Sequence, residues 1–304
     1  MHKKAIKYID KHFVGDVSGK TIIITGGNAG IGYQCAEYCL YLKMRVLLAC
    51  RNQERAEKAV SSLKEMYPDG DISYMLLDVS EKQSIINFVN EIKEKHINID
   101  VFYHNAGIFN FPYQLKEGKD LTLSTNYFGP FLLTSLLLPY LKSLNHEVKM
   151  IITSSLGGRL SKNKIAILHP TEKSKKAKLY FDSKMLDAHM FHYLDSHDHD
   201  NVKYYLVHPG ITATALISKA YKSKNFIKVA ERFTKHFCNP LWKSCLALTC
   251  VLSETNKPGT FYGPTHLYGG WGYPKEVKFF KRKYKCTDEF IKESENILGI
   301  NLLK

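Results

Sequence analysis

The stretch Thr25-Gly26-Gly27-Asn28-Ala29-Gly30-Ile31-Gly32 constrains the fold of this chain more than any other. Before it runs Lys20-Thr21-Ile22-Ile23-Ile24, a β-branched run that reads as a buried strand. After it, Tyr33 to Leu42 reads as a helix with Ala36 and Leu40 on one side. A strand, a glycine turn and a helix form the first half of a βαβ unit, which commits the chain to parallel strands joined by crossovers. The helix N-terminus leaves N–H groups unpaired and carries the positive end of the helix dipole, so it can hold a pyrophosphate. Gly26 permits the tight turn, Gly30 lets the backbone approach such a ligand, and Gly32 lets helix and strand pack closely.

The same alternation continues downstream. Arg45 to Cys50, Ile72 to Leu77, Asp100 to Tyr103, Val148 to Ile152 and Tyr204 to Val207 read as strands. Ile85-Ile86-x-Phe88-Val89-x-x-Ile92 and Leu121 to Leu141 read as packing helices, and Thr287 to Leu298 as a final surface helix. Alternating patterns of this kind predict an α/β Rossmann fold, a doubly wound parallel sheet with helices on both faces and its ligand at the carboxyl strand ends. The chain has 304 residues, 44% of them apolar, and shows no linker, repeat or low-complexity tract, so a single domain over 1–304 is expected. Leu132-Leu133-x-x-Leu136-Leu137-Leu138 is expected in the core, because the run is too short for a membrane span and is broken by Pro139.

A reactive pair sits in Tyr180-Phe181-Asp182-Ser183-Lys184. On a helix, residues four apart lie on one face, so the Lys184 ammonium can stand beside the Tyr180 phenol. A free phenol titrates near pH ~10 and is a poor proton donor at neutral pH. A fixed positive charge favours the phenolate and brings a tyrosine toward the range where it exchanges a proton with a carbonyl or alcohol oxygen. In a chain with 19 Tyr the spacing alone proves little; its force comes from the glycine motif upstream.

The pattern Thr-Gly-x-x-x-Gly-x-Gly differs from the commoner G-x-G-x-x-G spacing and resembles the short-chain dehydrogenase/reductase family. Further motifs similar to that family's follow in order. Asp78-Val79 ends a strand, where the family's aspartate lies beside the adenine. Asn105-Ala106-Gly107 follows the strand Asp100 to Tyr103, and Asn126 in Ser124-Thr125-Asn126-Tyr127-Phe128-Gly129 is similar to the family's helix asparagine. Ser154-Ser155 follows Val148 to Ile152, and Pro209-Gly210 follows Tyr204 to Val207. The resemblance covers roughly residues 18 to 265. Ala49-Cys50-Arg51-Asn52, the long interval from Ser155 to Tyr180 and His208-Pro209-Gly210 resemble the retinol-dehydrogenase-like branch. That interval implies an extra segment, Leu160 to Ala177, bordering the active-site mouth. One departure is His104, where the family usually has a second Asn.

The resemblance implies an NAD(P)-dependent oxidoreductase, with residues 18–210 as cofactor-binding and catalytic core and 211–304 as substrate lid and C-terminal segment. It implies cofactor contacts from Thr25, Gly26, Asn28, Ala29, Gly30, Ile31, Gly32, Asp78, Val79, Asn105, Ala106, Gly107, Tyr180, Lys184, Pro209, Gly210, Ile211 and Thr214. Tyr180 would be the general acid or base, Lys184 would tune it and bind the nicotinamide ribose, and Ser155 would hydrogen-bond the substrate oxygen. Asn126 would hold a water linking Lys184 to solvent, and Ser154 is the rival for the role of Ser155. The cofactor itself is read from charge. The second strand ends in Arg51-Asn52, with no Asp or Glu between Tyr38 and Gln53. NAD selection usually places a carboxylate there for the ribose 2′-OH, whereas a guanidinium suits the 2′-phosphate, so NADP(H) is expected over NAD(H).

Other classes of function are weakened by composition. The net charge of +14 is spread over scattered lysines, and the denser runs at Lys173-Ser174-Lys175-Lys176 and Lys278 to Lys285 lack the aromatic interleaving of a strand-binding groove. No nucleic-acid partner is expected. The cysteines Cys35, Cys39, Cys50, Cys238, Cys245, Cys250 and Cys286 form no Cys-x-x-Cys pair, which suggests reduced thiols in a cytoplasm. His189, His192, His197 and His199 read as helix and polar-turn residues, and no metal is expected. Met1 to Lys20 has no apolar core of signal-peptide length, so neither a signal peptide nor a membrane anchor is expected there.

The expected partner is a small-molecule substrate, with homo-oligomerisation left open. Leu216-Ile217-x-x-Ala220-Tyr221 and Phe226-Ile227-x-x-Ala230-x-x-Phe233 suggest amphipathic lid helices, and Phe237, Leu241, Trp242 and Leu246 continue the apolar character. Such lids suit a lipophilic aldehyde, ketone or alcohol, with Gly269-Gly270-Trp271-Gly272-Tyr273-Pro274 a turn-rich segment able to close over the site. The competing readings are reduction of a ring or conjugated double bond on the same site, a non-catalytic NADP-sensing protein, and a lysine-driven membrane-surface module.

Overall fold

A computed structural model describes residues 1–212, 238–266, 269–277 and 287–303. In chain order its first half comprises α1 (Lys3–His12), β1 (Thr21–Thr25), α2 (Gly30–Tyr41), β2 (Arg45–Cys50), α3 (Gln53–Met66), β3 (Ile72–Leu76), α4 (Lys82–Glu94) and β4 (Val101–His104). A small hairpin of β5 (Leu115–Lys116) and β6 (Lys119–Asp120) leads into α5 (Leu121–Leu123), a π turn over Ser124–Phe128, and α6 (Gly129–Lys142). Then follow β7 (Val148–Thr153), 3₁₀ turns at Leu156–Leu160 and Ile165–Leu168, α7 (Lys176–His197), β8 (Val202–Val207), β9 (Thr260–His266) and β10 (Trp271–Glu276). Helices Leu241–Ser244 and Leu246–Leu252 precede β9, and helix Thr287–Leu298 lies near the C-terminus.

Strand residues point alternately to opposite faces, so a run such as Ile22-Ile23-Ile24 is satisfied only where helices cover both sides. Ile23, Leu47, Phe102 and Met150 pack with α4, α6 and α7 residues such as Phe88, Leu137 and Leu186. Ile22, Ile24, Leu48 and Val101 pack on the other face with Ala36 and Cys39 of α2 and Leu248 of helix Leu246–Leu252. Each such side chain, once fully buried, contributes about 1.5–3 kcal/mol. The sheet order is β10-β9-β8-β7-β4-β1-β2-β3, parallel except for β10, which pairs antiparallel with β9. The chain therefore winds outward in one direction through β2 and β3 and in the other through β4, β7 and β8. The crevice at the carboxyl ends of β1 and β4 is the switch point where α/β sheets bind ligands.

Several expectations need correction. The helix read over Leu121 to Leu141 continues through Pro139 to Lys142, because a proline so close to the C-terminal end removes a single helical hydrogen bond. Leu121–Lys142 is in fact long and apolar enough to cross a membrane by length and composition, but 83% of its apolar window is buried inside the protein. Gly269 to Pro274 was expected as a closing turn; residues from Trp271 onward form the edge strand β10, where prolines are tolerated. Trp242 and Leu246 pack against the α2 face of the sheet. The segment Leu160 to Ala177 leans along α7 and helix Thr287–Leu298: Ser161 Oγ donates to Asp182, Asn163 bonds His189, and His169 bonds Glu293. None of that segment lines the cleft described below. Helix α1 was missed, although Ala5 and Ile9, one turn apart, form its buried face. The proposed lid helices between residues 216 and 233, Phe237 and the Lys278 to Lys285 run lie outside the described residues.

Candidate active site

The glycine turn takes the conformation its residues predict. Gly26 has φ +67°, in the left-handed region that favours glycine. A Cβ on Gly32 would stand 2.5 Å from the Gly26 carbonyl and 2.6 Å from Asn105 Nδ2, so helix and turn close only around glycine. Beside Gly30 there is open space. The residue before α2, Ala29, supplies no side-chain cap, which leaves the first-turn N–H groups without one. Thr25 does different work from that expected. It is buried, and its Oγ1 accepts from the N–H groups of Asn105 and Ala106 at 2.9 and 3.0 Å, tying the two carboxyl strand ends together.

Above this turn lies a cleft of about 350 Å³. Its floor is Gly26, Asn28, Ala29, Gly30, Ile31 and Gly32, and one end is Arg51, Asn52, Arg55, Leu77, Asp78 and Val79. Asn52 caps α3 by accepting from the Arg55 N–H at 2.9 Å, which brings Arg55 into the cleft wall beside Arg51. Arg55 went unread in the sequence, although its four-residue spacing from Arg51 was the available signal. Asp78 is engaged from both sides: Oδ1 accepts from the Ser80 N–H and hydroxyl, and Oδ2 meets Lys116 Nζ at 3.1 Å. Burial works to raise its carboxyl, but Ser80 and Lys116 hold it below the usual carboxylate range.

The other end gathers Asn105, Ala106, Gly107, Ile108, Thr125, Thr153, Ser154, Tyr180, Lys184 and Pro209. Lys184 is buried, and its Nζ donates to the Thr153 carbonyl at 2.9 Å and to Asp187 Oδ2 at 2.8 Å. Burial opposes its charge, but Asp187 and Tyr180 outweigh burial and hold the ammonium above the ordinary lysine range. Nζ stands 5.9 Å from the centre of the Tyr180 ring, which meets Phe109 edge to face with the ring centres 4.8 Å apart. Neither Asp187 nor the Thr153 carbonyl was singled out from sequence; Asp187 had a signal in its three-residue spacing from Lys184.

The two serines diverge. Ser154 is buried at the cleft wall and donates to the Lys184 carbonyl at 2.9 Å, while half-buried Ser155 accepts from the Gly157 N–H at 3.2 Å. Asn126 lies in the π turn, a form frequent at functional sites. Its amide is committed to structure: Oδ1 accepts from the Ile108 N–H, and Nδ2 donates to the Ile108 carbonyl and to Ser183 Oγ. Thr25, Asn126, Ser155, Gly210 and Ile211 do not line the cleft wall. Ile211 is held instead by the Gly270 carbonyl, to which its N–H donates at 2.9 Å. Thr214 lies outside the described residues. Among those described, no group of three or more His, Cys, Asp or Glu is placed to hold a metal. His189, suspected of none, is buried between Thr287 and Asn163.

The family profile described as short chain dehydrogenase matches residues 20–225, and this chain belongs to that family. Its relatives fall in the retinol-dehydrogenase-like branch. Mouse retinol dehydrogenase 14 is 31% identical over 214 residues, covering 66% of this chain and 64% of that protein. Dehydrogenase/reductase SDR family member 13 of Bos taurus is 30% identical over 267 residues, 84% of this chain and 68% of that protein. The chain thus spans somewhat less than two thirds of retinol dehydrogenase 14. Among solved structures, an uncharacterized protein from Mycobacterium paratuberculosis superposes with a TM-score of 0.75 at 20% identity, over 97% of this chain and 98% of that one. A short chain dehydrogenase from Shigella flexneri complexed with NADP does so with a TM-score of 0.56 at 22% identity, over 70% and 86%. These structures share the fold.

Proposed function

We propose that this protein is an NADP-dependent oxidoreductase that transfers a hydride between nicotinamide and a carbonyl/alcohol pair, with a lipophilic aldehyde or ketone as substrate. The observation that carries the reading is the Lys184 ammonium, buried and fixed beside Tyr180 at the end of a cleft floored by an uncapped helix N-terminus. The donors of that helix terminus and the glycine backbone suit a pyrophosphate, and Arg51 with Arg55 suits a 2′-phosphate. When bound, the nicotinamide would supply or accept the hydride.

In the reductive direction Tyr180 gives its proton to the carbonyl oxygen as that oxygen gains charge. Lys184 stabilises the phenolate left behind and offers its remaining N–H to the ribose. Ser155 is assigned to the substrate oxygen, and Asn126 to positioning: its amide clamps Ile108, which lines the cleft next to Gly107. The lean toward apolar substrates is supported by Phe109 against Tyr180 and by exposed Phe111 and Ile211 on neighbouring loops. The test is NADPH oxidation with aldehydes and ketones of increasing chain length. The reading expects turnover whose kcat/KM rises with apolar length; NADPH binding with no carbonyl turned over would move the assignment to double-bond reduction.

A further inference from the structure

Asp187 is a buried carboxylate three residues beyond Lys184 on α7, and the proton transfer described above does not use it. Its Oδ2 lies 2.8 Å from Lys184 Nζ, and its Oδ1 is buried with no hydrogen-bond partner among the described residues. A buried acceptor left unmatched is costly, and a buried ion pair is weak evidence of a stabilising role, since apolar packing commonly serves as well. The arrangement therefore calls for a reason other than stability.

Resting on the carbonyl-reductase reading, we propose that Asp187 is a positioning residue that pins the Lys184 ammonium and offsets the positive field it lays on Tyr180, favouring the protonated phenol that donates in carbonyl reduction. With Asp187 ionised, the pair presents little net charge to the phenol; with Asp187 neutral, the lysine acts in full. The groups facing the pair reinforce this. On α7 these are Lys184 and Tyr180, on the π turn Tyr127, and on β4 His104. Burial, with Lys184 adding to it, pushes His104 down to about 3, so its ring stays neutral and leaves Asp187 as the anionic partner of Lys184. Burial pushes Asp187 up to about 6 while Lys184 opposes it, so the carboxylate sits near the edge of its charged range.

The experiment isolates the Tyr180 titration without turnover. Tyrosinate ultraviolet absorbance is followed against pH, and the Tyr180→Phe spectrum is subtracted in the parent and in the Asp187→Asn background. Losing the compensating charge should lower the midpoint of the Tyr180 component by about one pH unit, and shift the pH profile of alcohol oxidation the same way. An unchanged midpoint in a folded Asp187→Asn protein overturns the proposal. Should that variant fail to fold, Asp187→Ser is read by the same criterion. A protein that shows the shift yet turns over no carbonyl would overturn the functional reading and keep the charge relation.

Discussion

Asn105 and Thr25 hold each other twice: the Asn105 N–H donates to Thr25 Oγ1 at 2.9 Å, and the Asn105 side-chain amide donates to the Thr25 carbonyl at 2.9 Å. The glycine turn after β1 and the Asn-Ala-Gly turn after β4 are thereby tied together, although 80 residues separate them in the chain. Replacing Thr25 with Val keeps its shape and strands the N–H groups of Asn105 and Ala106. Chemical denaturation should show a loss of about 1–3 kcal/mol, the cost of unmatched buried donors, together with weaker NADPH binding. An unaltered unfolding midpoint would mean that the hydroxyl does not carry the junction.

Arg51 and Arg55 divide the prediction for cofactor choice. Arg51→Asp should weaken NADPH binding about 10-fold or more beyond any loss for NADH, the size expected for a lost charged hydrogen bond. Arg55→Ala should act in the same direction. Fluorescence titration with both nucleotides decides the matter, and equal losses would show that neither arginine reads the 2′-phosphate.

Three buried histidines set the acid limb of stability. Burial pushes His104 and His208 down to about 3 and His189 down to about 4. Their folded values lie below the unfolded one near ~6.5, so the unfolded chain binds more protons and stability falls as pH drops below that value. Each contributes a slope of up to about 1.4 kcal/mol per pH unit, which Asp187, shifted upward, partly offsets. Urea midpoints should fall from neutral pH toward pH ~5, less steeply in His104→Gln, and equal slopes in the two proteins would remove His104 from the account.

Much of this architecture was legible because local patterns and the fold agree. The Ile22-Ile23-Ile24 run, the glycine turn and the four-residue step from Tyr180 to Lys184 each specify a geometry by themselves. Asp187 and Arg55 were missed because their roles depend on the company the fold gives them: a buried lysine in one case, a neighbouring guanidinium in the other. Thr25 was read as a cofactor contact and Asn126 as the holder of a water beside Lys184; their side chains also bond backbone groups of Asn105, Ala106 and Ile108, pairings that no spacing announces.

The proposed function turns on proton transfer by Tyr180. Nicotinamide fluorescence and NADPH oxidation by a lipophilic aldehyde, measured side by side in the parent and in Tyr180→Phe, test it directly. NADPH affinity should be nearly unchanged in Tyr180→Phe and turnover reduced by about 10²–10⁴-fold, the range a positioned general acid contributes. Retained turnover in Tyr180→Phe would contradict it.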